Sequence, residues 1–315
     1  MRKEKELQST PIDDDVIVKF ENVTKDYGKG RGIFDINLEV RRGKTLGYCG
    51  TNGAGKTTTL RHMMGFLKPD SGTVRVFGLD PYKNSDKIMG RIGYLPGEIA
   101  FPLVENGTQF LEIQAELTGQ KDMSKAERII NMMQLDPTAN IRRMSKGMKQ
   151  KTAIVAAFMN SPELIILDEP TTGLDPLMRE AFVNLIKEEK ARGATIVMSN
   201  HMFDELEETC DTVAFIRDGH ILDVVDLETI HNRPFREYKI GFYEQEDFES
   251  ADTSQVEVLA KKEKDLQYIV RVPLEKTDGM FRELKKHHIR YISEVQYTLE
   301  QYFLEHVVGG KKNGK

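Results

Sequence analysis

The sequence contains little cysteine. Only Cys49 and Cys210 occur among the 315 residues, far apart and without a CxxC or Cys/His pattern near them. Disulfide-built domains carry many cysteines, and structural zinc sites need clustered cysteine or histidine ligands. The sequence therefore predicts neither a disulfide framework nor a zinc site. We expect both thiols to be buried and reduced, as in the cytoplasm.

Long apolar runs are also missing. The longest, "TAIVAAFM" and "LIILD", fall far short of the roughly 20 residues that a helix needs to cross a bilayer. The first residues, "MRKEKELQSTPIDDD", are charged and contain no apolar segment like that of a secretory signal. With 39% hydrophobic and 30% charged residues, the composition predicts an ordinary globular protein without a membrane span.

An excess of positive charge is absent as well. The formal net charge is -5, and no block of lysine or arginine forms a stripe. Proteins whose main partner is nucleic acid present clustered basic residues to its phosphates. The last residues, "GGKKNGK", hold three lysines, fewer than the about four to eight that indicate anionic-lipid recognition. We expect no nucleic-acid partner.

Alternating strand and helix patterns predict an α/β fold over residues 16–231. Strand-like segments include "VIVKFENV", "IFDINLEV" and "TLGYC", and the apolar runs in "PELIILDEP" and "ATIVMSN" are typical of parallel strands buried on both faces. A helix is expected at about 56–67, several more in a helical subdomain at about 98–160, and a hairpin around Asp218-Gly219. The sequence thus predicts a mostly parallel core sheet.

The pattern of apolar and polar residues changes near residue 230, at the polar, irregular segment "HNRPFREYK". Beyond it, the strand-like segments "EYKIGFY", "SQVEVLA", "LQYIVRV" and "IRYISEVQ" and the helical segment "DGMFRELKKHHI" predict a small α+β domain over residues 232–310. Residues 1–15 and 311–315 are predicted tails. Two candidate capping boxes mark helix starts, Ser124 with Glu127 and Thr298 with Gln301. The second predicts a last helix with Leu299, Phe303 and Val307 on one face.

The segment "GTNGAGKTT", Gly50 to Thr58, has the spacing of a phosphate-binding loop between a strand and a helix. In such a loop, glycines let backbone N–H groups wrap phosphates, a lysine neutralises charge and a hydroxyl reaches magnesium. Lys56 and Thr57 take those two roles here. A chance glycine-rich turn is the alternative, which the strand before and helix after disfavour.

An acidic pair follows a buried strand in "LIILDEP". Asp168 stands at the carboxyl end of the strand, where open α/β sheets bind ligands. A buried carboxylate there needs compensation, so we expect an Mg²⁺ contact shared with Thr57. The next residue, Glu169, is a candidate to polarise an attacking water, although a solvated acid at a strand end is the simpler explanation of such a residue alone.

The order of these motifs resembles the ATP-binding cassette (ABC) family, the nucleotide-binding subunits of ABC transporters, over about residues 16–228. Export-type members with a short C-terminal segment are the most similar. The resemblance implies an ABC-type P-loop fold: a mostly parallel core sheet, an antiparallel β subdomain and a helical subdomain. It also implies ATP and Mg²⁺ as ligands. Tyr27 in "KDYGKG" matches the aromatic residue that stacks on adenine, and His201 in "MSNH" matches the switch histidine at the γ-phosphate.

The resemblance implies the following groups of site residues. Catalytic residues would be Glu169, His201 and Lys56. Nucleotide-binding residues would be Tyr27, Gly50, Asn52, Gly53, Ala54, Gly55, Lys56, Thr57 and Thr58. Magnesium would be held by Thr57 and Asp168.

A second candidate phosphate-binding element is "MSKGM", Met144 to Met148, just before a predicted helix. It matches the family signature LSGGQ at Ser145 and Gly147, whereas Lys146 replaces the middle glycine. The nearby "GLD" matches the loop that crosses the dimer interface. Because the phosphate loop already serves one nucleotide, the resemblance implies that the signature serves a partner's. The residues acting in trans would be Ser145, Lys146, Gly147 and Asp175.

One departure concerns the loop after "YLP". Where the family usually has a glutamine, this chain has Gly97, which has no side chain to contact Mg²⁺. Glu98 follows and is a candidate to replace it.

We therefore expect the ATPase subunit of a transporter, an exporter by analogy, that dimerises on ATP and drives separate transmembrane permease subunits from the inner face of the membrane. Homodimer and heterodimer stay open, as do the substrate and the role of residues 232–310. A soluble cassette ATPase acting on ribosomes or nucleic acid is the alternative, although such proteins usually carry tandem cassettes or a coiled-coil insertion. An unrelated P-loop kinase or GTPase would not explain "MSKGM" and "MSNH" together.

Overall fold

The computed structural model describes residues 15–308, and the contacts divide the chain into two units after Leu227. Apart from Asp15, the predicted tails at 1–15 and 311–315 lie outside the described residues. Within residues 15–308, no helix is both long enough and apolar enough to cross a bilayer.

The first unit contains two sheets. Its strands are β1 (Val16–Asp26), β2 (Gly32–Arg41), β3 (Thr45–Cys49), β4 (Ser71–Val76), β5 (Ile92–Leu95), β6 (Leu164–Asp168), β7 (Thr195–Asn200), β8 (Thr212–Arg217) and β9 (His220–Asp226). A three-stranded antiparallel sheet has the order β2-β1-β4, and a six-stranded sheet has the order β5-β6-β7-β3-β8-β9. All pairs of the second sheet are parallel except β8 with β9, which form the predicted hairpin.

Helices flank these sheets. They are α1 (Lys56–Met63), α2 (Ser85–Ile88), α3 (Gly107–Thr118), α4 (Ser124–Met132), α5 (Lys146–Phe158), α6 (Pro176–Ala191) and α7 (Phe203–Thr209), with α8 (Leu227–His231) at the division between the units. The predicted helical subdomain corresponds to α3, α4 and α5. The predicted α/β class, with a mostly parallel core sheet, an antiparallel β sheet and a helical part, is confirmed.

The order of the strands explains where the functional residues meet. The central strands β3, β6 and β7 are buried along their whole length, as expected for parallel strands covered on both faces. Because they are neighbours, their carboxyl ends lie at one edge of the sheet, where Cys49 pairs with Asn200 and Asp168 pairs with Ser199. The phosphate loop, the acidic pair and the "MSNH" segment leave the sheet from this edge.

Two local predictions differ from the structure. The first helix ends at Met63 and not near residue 67. The predicted capping box at Ser124 is wrong, because α4 begins at Ser124 and its N-cap is Met123, which makes no side-chain cap bond. The carboxylate of Asp122 accepts from the Ser124 N–H at 2.9 Å and supplies the acceptor in its place.

The second unit has its own sheet and core. Its elements are β10 (Phe235–Phe242), α9 (Gln245–Ser250), β11 (Glu257–Lys262), β12 (Gln267–Pro273), α10 (Thr277–Leu284), β13 (Ile289–Val295) and α11 (Leu299–Tyr302), followed by the π-helical segment Phe303–Val308. The antiparallel sheet has the order β11-β12-β10-β13, so this βαββαβ unit has a ferredoxin-like topology. Tyr238, Ile240 and Phe242 of the central strand β10 belong to the same core as Phe248 and Met280 of the two helices.

Sequence reasoning found the four strands of this unit and α10 but missed α9. That helix is six residues long, and Phe248 is its only buried residue, so it lacks a helical periodicity. The capping box at the last helix is confirmed: the Gln301 N–H donates to Thr298 Oγ1 at 3.3 Å, and the Thr298 N–H donates to Gln301 Oε1 at 3.1 Å. On the predicted apolar face, Leu299 and Val307 are buried and Phe303 is half-buried.

Candidate functional site

The phosphate loop curls around the side chain of Lys56. The Lys56 ammonium donates to the carbonyl oxygens of Gly50 at 2.8 Å and Thr51 at 3.3 Å. Gly55 has a φ of 112°, and a Cβ there would lie 2.8 Å from Ile33 Cγ2, so only glycine fits at this turn. The loop is therefore held by its own carbonyl groups and by the absence of a side chain at position 55.

Asp168 is the most enclosed acid of the site, with 2% of its surface exposed. Its Oδ2 accepts from Thr57 Oγ1 at 2.7 Å, and its Oδ1 accepts from Ser199 Oγ at 2.5 Å. Buried carboxylates require such compensation. A threonine hydroxyl beside a carboxylate is the oxygen donor set that Mg²⁺ prefers, so Thr57 and Asp168 fit this ion.

Glu169 adopts a left-handed backbone conformation with a φ of 49°, which is uncommon for a residue other than glycine. Its N–H donates to Ser199 Oγ at 3.0 Å. Its carboxylate lies between two groups of the site, with Oε1 3.3 Å from Lys56 Nζ and Oε2 3.9 Å from His201 Nδ1. Backbone strain of this kind clusters at functional sites, where the surrounding contacts maintain it.

His201 is exposed, and its backbone is fixed by the preceding residue. Asn200 Oδ1 accepts from the N–H groups of His201 at 2.7 Å and Met202 at 3.0 Å. The Asn200 amide in turn donates to the buried carboxylate of Glu205 at 2.6 Å. The backbone of the loop that contains His201 is thus held by hydrogen bonds with Asn200 and, through it, with Glu205.

A cavity of about 360 Å³ adjoins the phosphate loop and Glu169, whereas Asp168 and His201 do not line it. It is lined by the predicted residues Tyr27, Asn52, Gly53, Gly55, Lys56, Thr57, Thr58 and Glu169, together with Arg31 and Gly32. Of the predicted loop residues, Gly50 and Ala54 do not line the cavity; Ala54 is buried, and a Cβ at Gly50 would lie 2.4 Å from the Ile216 carbonyl oxygen. Half of the Tyr27 surface is exposed at the rim.

Three contributors were missed from the sequence. Arg31 lies four residues after Tyr27, and the Tyr27 N–H donates to the Arg31 carbonyl at 2.8 Å, so this turn places both side chains at the cavity. The short separation from Tyr27 in the sequence could have indicated that Arg31 also lies at the nucleotide site. Ser199 and Glu205 had no such signal, because their partners come from a distant strand and loop.

The signature segment lies elsewhere on the unit. Ser145 is the N-cap of α5, where its Oγ accepts from the Met148 N–H at 3.2 Å. A Cβ on Gly147 would be 2.9 Å from the Gly173 carbonyl oxygen, so the helix start packs directly on the loop after Glu169. Neither Ser145, Lys146, Gly147 nor Asp175 lines the cavity. Asp175 caps α6, accepting from the Met178 N–H at 3.0 Å.

Position 97 lies against Asp168. A Cβ on Gly97 would be 3.1 Å from Asp168 Oδ2 and 3.2 Å from its Cγ, which leaves little room for a side chain. Glu98 is the next residue along the loop and is exposed. The backbone at Gly97 is therefore adjacent to Asp168, and a magnesium contact by Glu98 stays a prediction.

Comparisons with known proteins give the same family. Residues 33–172 match the model of the ABC transporter family. The bacitracin transport ATP-binding protein BcrA of Bacillus licheniformis is 34% identical over 233 residues, which cover 71% of this chain and 75% of that protein. The Nod factor export ATP-binding protein I of Cupriavidus metallidurans is 33% identical over 212 residues, covering 64% and 69%.

A solved structure shows the same fold. The ATP-binding subunit of an ABC transporter superposes with a TM-score of 0.63 at 28% identity, covering 68% of this chain and 92% of that one. The phosphate loop and the acidic pair lie within the residues that match the family model, 33–172. The chain therefore belongs to the ABC transporter family as one of its ATP-binding proteins, and it is an ATPase.

Proposed function

We propose that this protein is the ATP-hydrolysing subunit of an exporter, and that it drives separate transmembrane subunits by closing and opening a pair of cassettes. Export is supported by similarity to proteins named for bacitracin transport and Nod factor export. The pair consists of two copies of this chain or of this chain and a similar one. The protein acts at the cytoplasmic face of the membrane as a peripheral subunit.

The main support for a pair of cassettes is that the phosphate loop and the signature segment Ser145–Gly147, both candidate phosphate-binding elements, lie apart in one chain. The cavity holds Lys56, Thr57 and Glu169, but Ser145 and Gly147 lie outside it. Ser145 and Lys146 are exposed at the start of a helix, whose free N–H groups favour an anion. In a head-to-tail pair, the segment Ser145–Gly147 and Asp175 of one chain would close over the nucleotide of its partner.

The residues divide the chemistry as follows. Tyr27 stacks on adenine, the loop N–H groups and Lys56 bind the phosphates, and Thr57 with Asp168 would hold magnesium. Magnesium, when bound, neutralises charge on the phosphate oxygens. Glu169 orients and polarises the attacking water, and His201 contacts the γ-phosphate. Loss of that phosphate removes contacts made by both chains, and this difference between closed and open pairs drives motion.

A groove next to the site is the proposed contact for the transmembrane subunit. It has a volume of about 270 Å³ and an apolar lining that includes Phe66, Tyr94, Pro96, Ile99, Phe101 and Phe110. Pro96 of its wall immediately precedes Gly97, which abuts Asp168. We propose that a short helix from a cytoplasmic loop of the permease occupies this groove. A movement of that helix would then shift Pro96 and, through the adjacent Gly97, the proposed metal ligand Asp168.

The C-terminal unit is proposed to be an accessory domain that begins between residues 228 and 232. Contacts divide the chain after Leu227, slightly before the sequence-based boundary at 231/232. Its separate core supports independent folding of this part.

Fractionation of cells expressing the tagged chain tests the proposal. We expect wild type in the membrane fraction with one polytopic membrane protein. Phe66→Glu, which places a charge in the groove, should move the chain to the supernatant. Leu222→Glu, an equally drastic change at an exposed position of β9, should not. Recovery of wild type with ribosomes or DNA would favour the alternative, a cassette ATPase that acts on nucleic-acid assemblies.

A further inference from the structure

Glu205 is a buried carboxylate with no assigned role. It lies on α7, and 9% of its surface is exposed. Its Oε2 accepts two short hydrogen bonds, from Thr171 Oγ1 at 2.7 Å and Asn200 Nδ2 at 2.6 Å. Its Oε1 is buried, and among residues 15–308 it has no hydrogen-bond partner. A buried carboxylate with an unpaired oxygen costs stability, and this cost calls for a functional explanation.

The two donors to Glu205 come from two different loops of the site. Thr171 belongs to the segment that runs from Glu169 to Asp175, which is the segment packed against the signature helix. Asn200 ends β7 and fixes the backbone of His201 through its Oδ1. Glu205 therefore joins the loop after the acidic pair to the loop of the histidine.

These contacts close a ring. Starting from Glu169, the ring passes through Thr171, Glu205, Asn200 and His201, and it returns to Glu169 across the 3.9 Å between His201 Nδ1 and Glu169 Oε2. Because Thr171 and Asn200 donate to the same carboxylate oxygen, a displacement of the loop that carries Thr171 either moves Asn200 and the His201 backbone with it or breaks a buried hydrogen bond. The latter costs more, since it leaves a second buried group unpaired.

We propose that Glu205 is a positioning residue for ATP hydrolysis, which sets the location of His201 according to the position of the 171–175 loop. The partner cassette would press on that loop, so Glu205 makes the histidine responsive to closure of the pair. This inference rests on the proposed role of His201. Glu205 itself touches neither nucleotide nor metal and acts through Asn200 and His201.

The test uses a double-mutant cycle on the full-length chain. Glu205→Gln keeps the shape but places an amide where the unpaired oxygen lies. We expect kcat to fall about tenfold or more while KM for ATP changes by less than about twofold, because a neutral amide oxygen accepts the two orienting hydrogen bonds from Thr171 and Asn200 more weakly than a carboxylate does. In the His201→Ala background, the same substitution should lower kcat by less than about twofold further, since its effect passes through His201.

Two further variants keep the result interpretable. Thr171→Val removes only the hydroxyl donor and should also lower kcat. This variant tests the proposal even if Glu205→Gln unfolds the protein. Glu208→Gln is the matched control, because Glu208 is on the same helix and forms an exposed ion pair with Lys187 at 2.6 Å. It should leave kcat, KM and melting temperature unchanged.

The outcomes separate the two proposals. If His201→Ala leaves kcat unchanged, the proposed role of His201 fails. If His201→Ala is impaired but Glu205→Gln and Thr171→Val have wild-type kcat, the inference about Glu205 alone is overturned. Multiplicative losses in the double variant would also overturn it, because they would mean that Glu205 acts independently of the histidine.

Discussion

Replacing Ser199 by alanine should weaken magnesium binding and the fold together. Ser199 is fully buried, donates to Asp168 Oδ1 at 2.5 Å and accepts from the Glu169 N–H at 3.0 Å. A hydrogen bond to a charged group contributes about 1.5–3 kcal/mol. Asp168 keeps its bond from Thr57, so we expect a loss of about 2 kcal/mol and a melting temperature lower by about 4–8 °C.

The effect on the metal follows from the same contact. Removing a partner that orients a metal-binding carboxylate typically lowers metal affinity by about 10–100-fold. The assay is the ATPase rate at saturating ATP as a function of Mg²⁺ concentration, with urea unfolding measured separately in the absence of nucleotide. Ser293→Ala, on the exposed strand β13, is the control. A Ser199→Ala variant with wild-type Mg²⁺ half-saturation and unfolding free energy would refute this reasoning.

Further predictions concern the dimer, a histidine and the thiols. Glu169→Gln should slow hydrolysis by about 10²–10⁴-fold and accumulate an ATP-bound dimer on gel filtration; adding Gly147→Ala, whose Cβ would lie 2.9 Å from a loop carbonyl, should weaken that dimer by about tenfold. Burial lowers the pKa of His62, so the unfolded chain binds a proton at this residue more readily than the folded one. The free energy of unfolding should therefore decline as pH falls below ~6.5. Urea titrations at several pH values should show a flatter profile for His62→Gln. Burial raises the pKa of Cys49 to about 11 and of Cys210 to about 12, so neither thiol should react with a disulfide reagent at pH 8 until the protein is unfolded.

The sequence was sufficient where a motif and its structural context are local. The strand, loop and helix around Lys56 are contiguous, and the loop geometry follows from its glycines. Asp168 was placed by the rule that ligands bind at the carboxyl ends of parallel strands. The expected burial of both cysteines is confirmed; Cys49 ends the central strand β3, and Cys210 follows helix α7.

The remaining features depend on contacts between distant segments. Ser199 reaches Asp168 only because β6 and β7 are adjacent and in a register that pairs these two residues. Glu205 meets Thr171 across 34 positions of sequence. Neither serine nor glutamate in these positions forms a pattern, so periodicity and motif spacing contain no information about them. The capping error at Ser124 had a local origin, because Asp122 competes for the same N–H group.

The central claim is that one nucleotide is bound by two cassettes, with Lys56 and Glu169 from one chain and Ser145 from the other. The most direct test is the specific ATPase activity of the purified chain over a dilution series in which sedimentation velocity reports the fraction of dimer. The sandwich predicts that activity per chain falls with the dimer fraction and approaches zero for the monomer. A constant turnover per chain at concentrations where only monomer sediments would contradict it.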